Sequence, residues 1–240
     1  MRTAPIKAAP IRTRPTTPPE TMDPADRRSR LADAGLYLCV GARRDLESLL
    51  DAVLPAGVTI VQLREKDGDD DLRRRAGAVM RRAADRHDVL FVVNDDPALA
   101  VELGADGVHV GQDDTSPEAA RSIVGPDVVI GRSTHAVDEV DRAQHEDCDY
   151  FAVGPVSATP TKPGRDGIGL EPIRHAARVG TKPWYVTGGM TPETAGPILD
   201  AGARGLVVVR GLTEAADPAD VARRMATMIA YRRALDATAG

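Results

Sequence analysis

Short apolar runs alternate with longer, mixed segments along the chain from residue 36 onward. Most runs are rich in β-branched residues, a pattern that predicts buried strands. The segments between most of them carry apolar residues at helical spacing, with charged residues on the other faces. The eight predicted strands are LYLCV at 36–40, VTIVQLR at 58–64, VLFVVN at 89–94, GVHV at 107–110, VVIGRS at 128–133, DYFAVG at 149–154, PWYVTG at 183–188 and GLVVVR at 205–210.

The predicted helix starts and an internal sequence similarity indicate which fold these elements form. Proline is favoured at the first turn of a helix, and Pro97, Pro117, Pro192 and Pro218 each open a helical segment. The stretches LGADGVHVG and AGARGLVVV share a helix end, a Gly-Ala turn and a buried strand. Eight such units predict an α/β fold of the (β/α)8 TIM barrel type more simply than an open, doubly wound parallel sheet, which is the alternative.

The length and composition suit one domain. The chain has 240 residues, of which 42% are hydrophobic, enough for a single well-cored domain. Residues 1–30 hold several prolines and basic residues without an apolar segment, which predicts a disordered N-terminal extension, although an RNA-binding or regulatory arm is an alternative. Residues 31–240 are then predicted to form the barrel, a catalytic domain.

Charge and cysteine content exclude several classes of protein. A net charge of −5 gives no reason to expect nucleic acid or an anionic membrane as the main partner. No apolar stretch approaches the ~20 residues that cross a bilayer. Cys39 and Cys148 are the two cysteines and form no CxxC pair, so a disulfide framework or zinc site is not expected and a cytoplasmic location fits.

Polar residues collect where the predicted strands end. The C-terminal ends of the strands form the functional face of a TIM barrel, so these residues should surround one site. They are Gln62, Arg64, Glu65 and Lys66 in the second unit, Asn94, Asp95 and Asp96 in the third, Gln112, Asp113 and Asp114 in the fourth, Ser133, Thr134 and His135 in the fifth, Thr159, Thr161 and Lys162 in the sixth, and Gly188, Gly189, Arg210 and Gly211 in the last two.

Taken singly, several of these residues have simpler interpretations. Asp95 is as well explained by a helix cap or turn as by metal binding, and Asp96 before Pro97 is typical of a cap. The Gly188–Gly189 pair can be a tight turn. His109 lies within a strand and is expected to be a hydrogen-bonded core histidine outside the site. His135 is more typical of a solvated loop.

The combination points to phosphate chemistry. Carboxylates on the adjacent third and fourth strands, with an amide beside them, suit an oxygen-ligated Mg²⁺ that also binds substrate phosphates. Arg64, Lys66 and Lys162 would supply fixed positive charge around those phosphates. The glycines of the last two units let backbone N–H groups approach a second phosphate. Such a site could stabilise a departing diphosphate with no strong base or nucleophile from the protein.

The segments QLREK, VND, GVHVGQDD, GRSTH, DYFAVGPVSATPTKPG and TGGM resemble, in order and spacing, those of the thiamine phosphate synthase family. The resemblance spans about residues 36–212. It implies a barrel enzyme that joins hydroxymethylpyrimidine diphosphate to thiazole phosphate and releases diphosphate, through a pyrimidine carbocation that the thiazole nitrogen attacks. The substrates would then be small molecules and the cofactor Mg²⁺. Monomer and homo-oligomer both stay open.

The resemblance also implies roles for individual residues. Arg64, Lys66, Ser133 and Lys162 become the catalytic residues, and Mg²⁺ falls to Asp95 and Asp114, because the family pattern Gly-Gln-x-Asp leaves Asp113 at the variable position. The pyrimidine diphosphate would contact Gln62, Leu63, Arg64, Glu65, Lys66, Asn94, Ser133 and Lys162, and the thiazole phosphate would contact Thr159, Pro160, Thr161, Gly188, Gly189, Val209 and Arg210. The chain departs from the family in having Arg210 where a serine is usual, and TGGM in place of Gly-Gly-Ile.

The alternation of side chains along the second predicted strand indicates which residues face the inside of the barrel. Gln62, Arg64 and Lys66 should face the barrel axis and its mouth, while Val61 and Leu63 turn outward against helices. Glu65 also turns away from the mouth and is expected to orient neighbouring arginine or lysine side chains.

Three other functions compete with synthesis. A thiazole tautomerase relative of the same family would bind thiazole phosphate without needing a diphosphate clamp or metal carboxylates. A non-catalytic barrel could bind a phosphorylated ligand as a sensor, but burying these charges without a ligand is costly. The third is another phosphate-handling barrel enzyme, such as an isomerase or an aldolase. An aldolase would need a Schiff-base lysine within a strand, and no predicted strand offers one before its end.

Overall fold

The structure is a computed structural model that describes residues 22–158 and 166–239. Ten helices and eight strands lie in these ranges and alternate for most of the chain. The strands are β1 (Leu36–Val40), β2 (Val58–Leu63), β3 (Leu90–Asn94), β4 (Gly107–Val110), β5 (Val129–Thr134), β6 (Tyr150–Val153), β7 (Trp184–Thr187) and β8 (Leu206–Val208). The helices are α1 (Pro24–Asp33), α2 (Leu46–Val53), α3 (Asp70–His87), α4 (Pro97–Glu102), α5 (Pro117–Val124), α6 (Val137–Ala143), α7 (Glu171–Val179), α8 (Pro192–Asp200), α9 (Arg210–Thr213) and α10 (Pro218–Ala239).

The strands form one closed parallel barrel in sequence order, with β8 paired to β1. This closure confirms the predicted (β/α)8 barrel and excludes the open sheet. All four prolines that were predicted to open helices do so, in α4, α5, α8 and α10. The eighth strand is shorter than predicted, because the chain turns at Val209 and Arg210 becomes the first residue of α9 instead of ending the strand.

Two apolar layers follow from the alternation of side chains along the strands. The outer layer, which includes Val61 and Leu63, packs against the surrounding helices. The inner layer fills the barrel and is dominated by Tyr37, Tyr150 and Tyr185, all of which are fully buried. The ring of Tyr185 meets each of the other two edge-on at a centroid distance of 5.6 Å, so the tyrosines form a solid floor across the barrel.

Helix α1 covers the end of the barrel where the strands begin, opposite the C-terminal ends of the strands. Its Leu31 joins the inner apolar layer, and the Leu31 carbonyl accepts a hydrogen bond of 2.6 Å from the hydroxyl of Tyr185. The predicted boundary between residues 30 and 31 is therefore wrong, because it falls inside this packed helix. Residues 1–21 lie outside the described residues, so the predicted disorder there stays a prediction.

A buried carboxylate, Asp106, joins α1 to the barrel. It lies 3.3 Å from Arg27 Nε and 2.7 Å from Arg81 Nη1, and it accepts a hydrogen bond from the backbone N–H of Phe91. Since Asp106 is 3% exposed and Arg27 7%, these charges depend on each other for compensation.

Replacing Asp106 with alanine should therefore lower the free energy of unfolding by about 3–5 kcal/mol, since it leaves Arg27 as an uncompensated buried charge. Urea denaturation measures this change. Asp51→Ala is the matched control because it removes an exposed carboxylate that pairs with Arg86 at 2.7 Å, and exposed pairs contribute little. Equal unfolding curves for the two variants would contradict the structural role of Asp106.

No helix in the described part of the chain has the length and apolar character needed to span a membrane.

Candidate active site

Two cavities open at the C-terminal ends of the strands and meet at Asn94. The axial cavity lies above the tyrosine floor, has a volume of about 170 Å³ and is lined by Gln62, Arg64 and Ser133 among others. The lateral cavity has a volume of about 440 Å³ and is lined by residues that include Lys66 and Asp95.

Gln62 and Arg64 line the axial cavity, as the alternation along β2 predicts, whereas Lys66 lines the lateral cavity. Gln62 faces inward, where its Nε2 donates to Tyr37 Oη at 2.7 Å and its Oε1 accepts from Cys39 Sγ at 3.0 Å. Leu63 faces outward into the helix-packed layer, so only its backbone or the edge of its side chain could meet a ligand. Beyond the strand, Arg64 returns to the axial cavity.

The two cations that follow β2 differ in their surroundings. The half-buried Arg64 guanidinium forms no hydrogen bond or ion pair with the residues that the structure describes. Lys66 Nζ lies 3.1 Å from Asp95 Oδ2 and is half exposed. A guanidinium directed into a cavity without a carboxylate beside it is suited to an anionic ligand.

Glu65 forms no ion pair with any arginine or lysine that the structure describes, so the prediction that it orients neighbouring cations is wrong for these residues. Its Oε2 accepts a hydrogen bond of 2.9 Å from the backbone N–H of Ala42, and its Oε1 accepts one of 3.2 Å from that of Asp67. The side chain thus ties the loop after β1 to the loop after β2. It also borders the lateral cavity, so the predicted contact with substrate remains a proposal.

The two carboxylates that were assigned to a metal lie side by side on neighbouring loops. Asp95 follows β3 in the left-handed region at φ 62°, and its backbone N–H donates to the His109 carbonyl at 2.8 Å. Burial raises the pKa of the Asp95 carboxyl, a hydrogen bond with the Asp114 carboxyl raises it further, and Lys66 opposes both effects. Asp114 is held by the backbone N–H of Gly111 at 2.9 Å.

This pair fits Mg²⁺ of the kind that takes one or two protein carboxylates and fills its shell with water and phosphate oxygens. Among the described residues, no group of three or more His, Cys, Asp or Glu side chains could hold a metal. A cage made by the protein alone is thus not supported there. Burial is the main reason that the pKa of Asp95 is raised, and a cation between the two carboxyls would relieve the repulsion by Asp114 that adds to this effect. Asp96, as predicted, caps α4 by accepting from the Leu99 N–H at 2.9 Å.

Ser133 reaches the axial cavity from β5 and contacts His109, which was predicted to lie outside the site. His109 Nε2 lies 2.9 Å from Ser133 Oγ, and its Nδ1 lies 3.1 Å from Tyr150 Oη. The prediction of a hydrogen-bonded core histidine is confirmed, but its exclusion from the site is wrong because His109 lines the cavity. The alternation of side chains along β4, which turns His109 towards the barrel axis, could have identified His109 as a site residue. His135 turns instead to the Gly154 carbonyl.

The loops after β7 and β8 form the far wall of the axial cavity. Gly188 adopts φ 107° and Gly189 φ 74°, a region that favours glycine. A Cβ at Gly188 would lie 2.5 Å from the Val156 nitrogen, so this loop also packs too closely for a side chain. Val209 and Arg210 line the same wall, and Arg210 is exposed.

The remaining predicted site residues, Thr159, Pro160, Thr161 and Lys162, lie outside the described residues. In the sequence they fall between β6 and α7.

Comparisons with known proteins agree with the resemblance seen in the sequence. The family model described as thiamine monophosphate synthase matches residues 36–212. A thiamine-phosphate synthase of Acidothermus cellulolyticus is 48% identical over 208 residues, covering 85% of this chain and 98% of that protein. One of Mycolicibacterium vanbaalenii is 47% identical over 217 residues, with 85% and 98% covered. The solved structure of thiamine phosphate pyrophosphorylase from Pyrococcus furiosus superposes with a TM-score of 0.75 at 26% identity, with 85% and 98% covered.

Proposed function

Because this chain belongs to the thiamine monophosphate synthase family, we propose that it joins hydroxymethylpyrimidine diphosphate to thiazole phosphate, forming thiamine phosphate and releasing diphosphate. The observation that carries the proposal is the pairing of opposite charges at the junction of the two cavities. Arg64 faces the axial cavity, and Lys66 lies 3.1 Å from one carboxyl of the Asp95–Asp114 pair.

The diphosphate end of the first substrate belongs at this junction. Arg64 and Lys66 would hold its oxygens, while Asn94, which borders both cavities, would lie between them. When bound by Asp95 and Asp114, Mg²⁺ would neutralise charge that builds on the departing diphosphate. Lys162 is proposed as a further cation there, in line with the family resemblance.

The pyrimidine belongs above the tyrosine floor. Gln62 and Ser133 offer polar groups there, and Tyr37, the floor tyrosine that lines the cavity, gives a flat ring an apolar surface. This arrangement holds the reacting carbon at the centre of the barrel. It also keeps bulk water from the face that rests on the floor.

The thiazole phosphate belongs against the far wall. The left-handed Gly188 and Gly189 let backbone N–H groups approach a phosphate, and the start of a short helix after β8 at Arg210 is a usual phosphate position in this fold. Thr159, Pro160 and Thr161 are proposed to contact the thiazole. Each substrate then has its own end of one continuous space, so positioning supplies much of the rate and the protein needs no strong base.

Replacing Gly188 with alanine should weaken thiazole phosphate binding by about tenfold or more, because the added Cβ meets the Val156 nitrogen at 2.5 Å and the loop must shift. Isothermal titration calorimetry measures the change. Gly125→Ala is the matched control, since Gly125 is also left-handed at φ 79° but has open space around it, at the end of α5. Unchanged affinity in a folded Gly188→Ala variant would contradict the phosphate site.

A tautomerase relative or a non-catalytic thiazole phosphate binder is the competing function. Neither has a need for the diphosphate clamp. Incubating the purified protein with both substrates and Mg²⁺ distinguishes them, with thiamine phosphate as the expected product. Absence of product while thiazole phosphate binding is retained would favour the competitor.

A further inference from the structure

Six buried side chains form a continuous hydrogen-bonded chain beneath the axial cavity. It crosses the barrel from β5 to β1 and ends on one side at Ser133, a proposed catalytic residue. The links are Ser133 Oγ to His109 Nε2 at 2.9 Å, His109 Nδ1 to Tyr150 Oη at 3.1 Å, Tyr150 Oη to Tyr37 Oη at 3.0 Å, Tyr37 Oη to Gln62 Nε2 at 2.7 Å, and Gln62 Oε1 to Cys39 Sγ at 3.0 Å. We refer to these residues as the buried chain.

A glycine makes room for its central link. A Cβ at Gly131 would lie 2.2 Å from Tyr150 Cζ and 2.4 Å from His109 Nδ1, so the two rings can meet only across a residue that has no side chain. Each member of the chain is 7% exposed or less. Polar groups buried this deeply have to satisfy one another, which favours one fixed arrangement of protons.

Gln62 determines the direction in which hydrogen bonds are donated along the buried chain. Its amide oxygen is a strong acceptor for the thiol proton of Cys39, whereas a thiol sulfur is a poor acceptor for an amide N–H. The Gln62 N–H group therefore donates to Tyr37. Since Tyr37 Oη accepts that bond, its own proton goes to Tyr150 Oη, and the proton of Tyr150 goes to His109 Nδ1.

The same order of donors and acceptors continues through the imidazole of His109 to Ser133. With Nδ1 as the acceptor, neutral His109 carries its proton on Nε2 and donates it to Ser133 Oγ. The Ser133 hydroxyl can then donate its own proton in a hydrogen bond to a ligand in the axial cavity. Burial raises the pKa of both Tyr37 and Tyr150, so each phenol keeps the single proton that the chain requires.

We propose that the buried chain fixes Ser133 as a hydrogen-bond donor to an oxygen of the departing diphosphate, with His109, Tyr150 and Tyr37 acting as positioning residues. The identity of this acceptor rests on the proposed function. In the reverse direction Ser133 would donate to His109 and present only lone pairs to the cavity, which would oppose an anion. The chain thus selects the donor state that stabilises developing negative charge.

The proton position on His109 tests the direction without any substrate. In ¹⁵N-histidine-labelled protein at a pH where His109 is neutral, the Nε2–H tautomer is expected, with the His109 signals assigned by their loss in His109→Asn. A predominant Nδ1–H tautomer would overturn the proposal. Because neither substrate nor Mg²⁺ is added, failure here is distinct from failure of the proposed coupling reaction.

Tyr150→Phe tests the consequence for the reaction. It removes the donor to His109 Nδ1 from a residue that does not line the axial cavity. We expect a mixture of His109 tautomers and a kcat about tenfold lower, with KM for thiazole phosphate unchanged. Tyr37→Phe interrupts the chain one link further away and serves if Tyr150→Phe does not fold.

Tyr185→Phe is the matched control. It removes a buried hydroxyl from a tyrosine that does not line the axial cavity, and this hydroxyl donates to the Leu31 carbonyl and lies outside the chain. Its kcat and its His109 tautomer should match those of the unmodified protein even if its stability falls. An equal loss of kcat in Tyr185→Phe and Tyr150→Phe, or a single Nε2–H tautomer and full kcat in Tyr150→Phe, would refute the positioning role.

Discussion

Replacing Asp95 with asparagine should lower kcat for coupling by roughly a hundred- to a thousandfold, with thiazole phosphate affinity nearly unchanged. The substitution removes one charge from the Asp95–Asp114 pair that is proposed to hold Mg²⁺. It does so with little disturbance, because asparagine tolerates the left-handed φ of 62° at this position at least as well as aspartate does. Steady-state kinetics at varied Mg²⁺ measure the effect, and the Mg²⁺ concentration for half-maximal rate should rise.

Asp96→Asn is the control for this experiment. Asp96 is the next residue and borders the same cavity, but its side chain caps α4. Asparagine is an equally good cap, so this variant should retain activity and Mg²⁺ dependence. An Asp95→Asn variant with the original Mg²⁺ dependence, or one that loses thiazole phosphate affinity as strongly as it loses rate, would show that Asp95 is not a metal ligand.

Replacing Arg64 with glutamine should reduce kcat/KM for the pyrimidine diphosphate by about a hundredfold. Arg64 faces the axial cavity and pairs with no carboxylate in the described part of the chain, so its charge is available to the ligand. Arg64→Lys should recover only part of the loss, because an ammonium cannot form the paired, planar hydrogen bonds of a guanidinium.

A variant at the same end of the barrel controls for general electrostatic attraction. Arg44 is exposed in the loop after β1 and lines neither cavity. Arg44→Gln removes the same charge and should change kcat/KM by less than about twofold at physiological ionic strength. Similar losses in the two variants would mean that Arg64 acts through net charge and not through contact with the diphosphate.

The parts of the fold that the sequence predicted are those governed by local pattern. Apolar runs with alternating side chains located all eight strands, and proline located the first turns of α4, α5, α8 and α10. The same alternation placed Gln62 inside and Leu63 outside the barrel. These features depend on residues close in sequence, which is why a single sequence was enough to find them.

The missed features depend on partners that are distant in sequence. Helix α1 has few apolar residues, and it is held by contacts such as that of Arg27 with Asp106, 79 residues away. His109 joins the site through Ser133 and Tyr150, and Glu65 takes its role from the N–H of Ala42 on another loop. No local pattern encodes such pairings, because the closed barrel creates them.

The reaction proposed for this barrel mouth is the departure of diphosphate from the carbon attached to the pyrimidine and its replacement there by thiazole phosphate. ³¹P NMR of one mixture of protein, both substrates and Mg²⁺ tests it most directly, because it follows both phosphorus-containing substrates and both products together. We predict that thiamine phosphate and free diphosphate appear in equal amounts, and only when both substrates are present. Free diphosphate without thiamine phosphate, or no change in either substrate, would contradict the account.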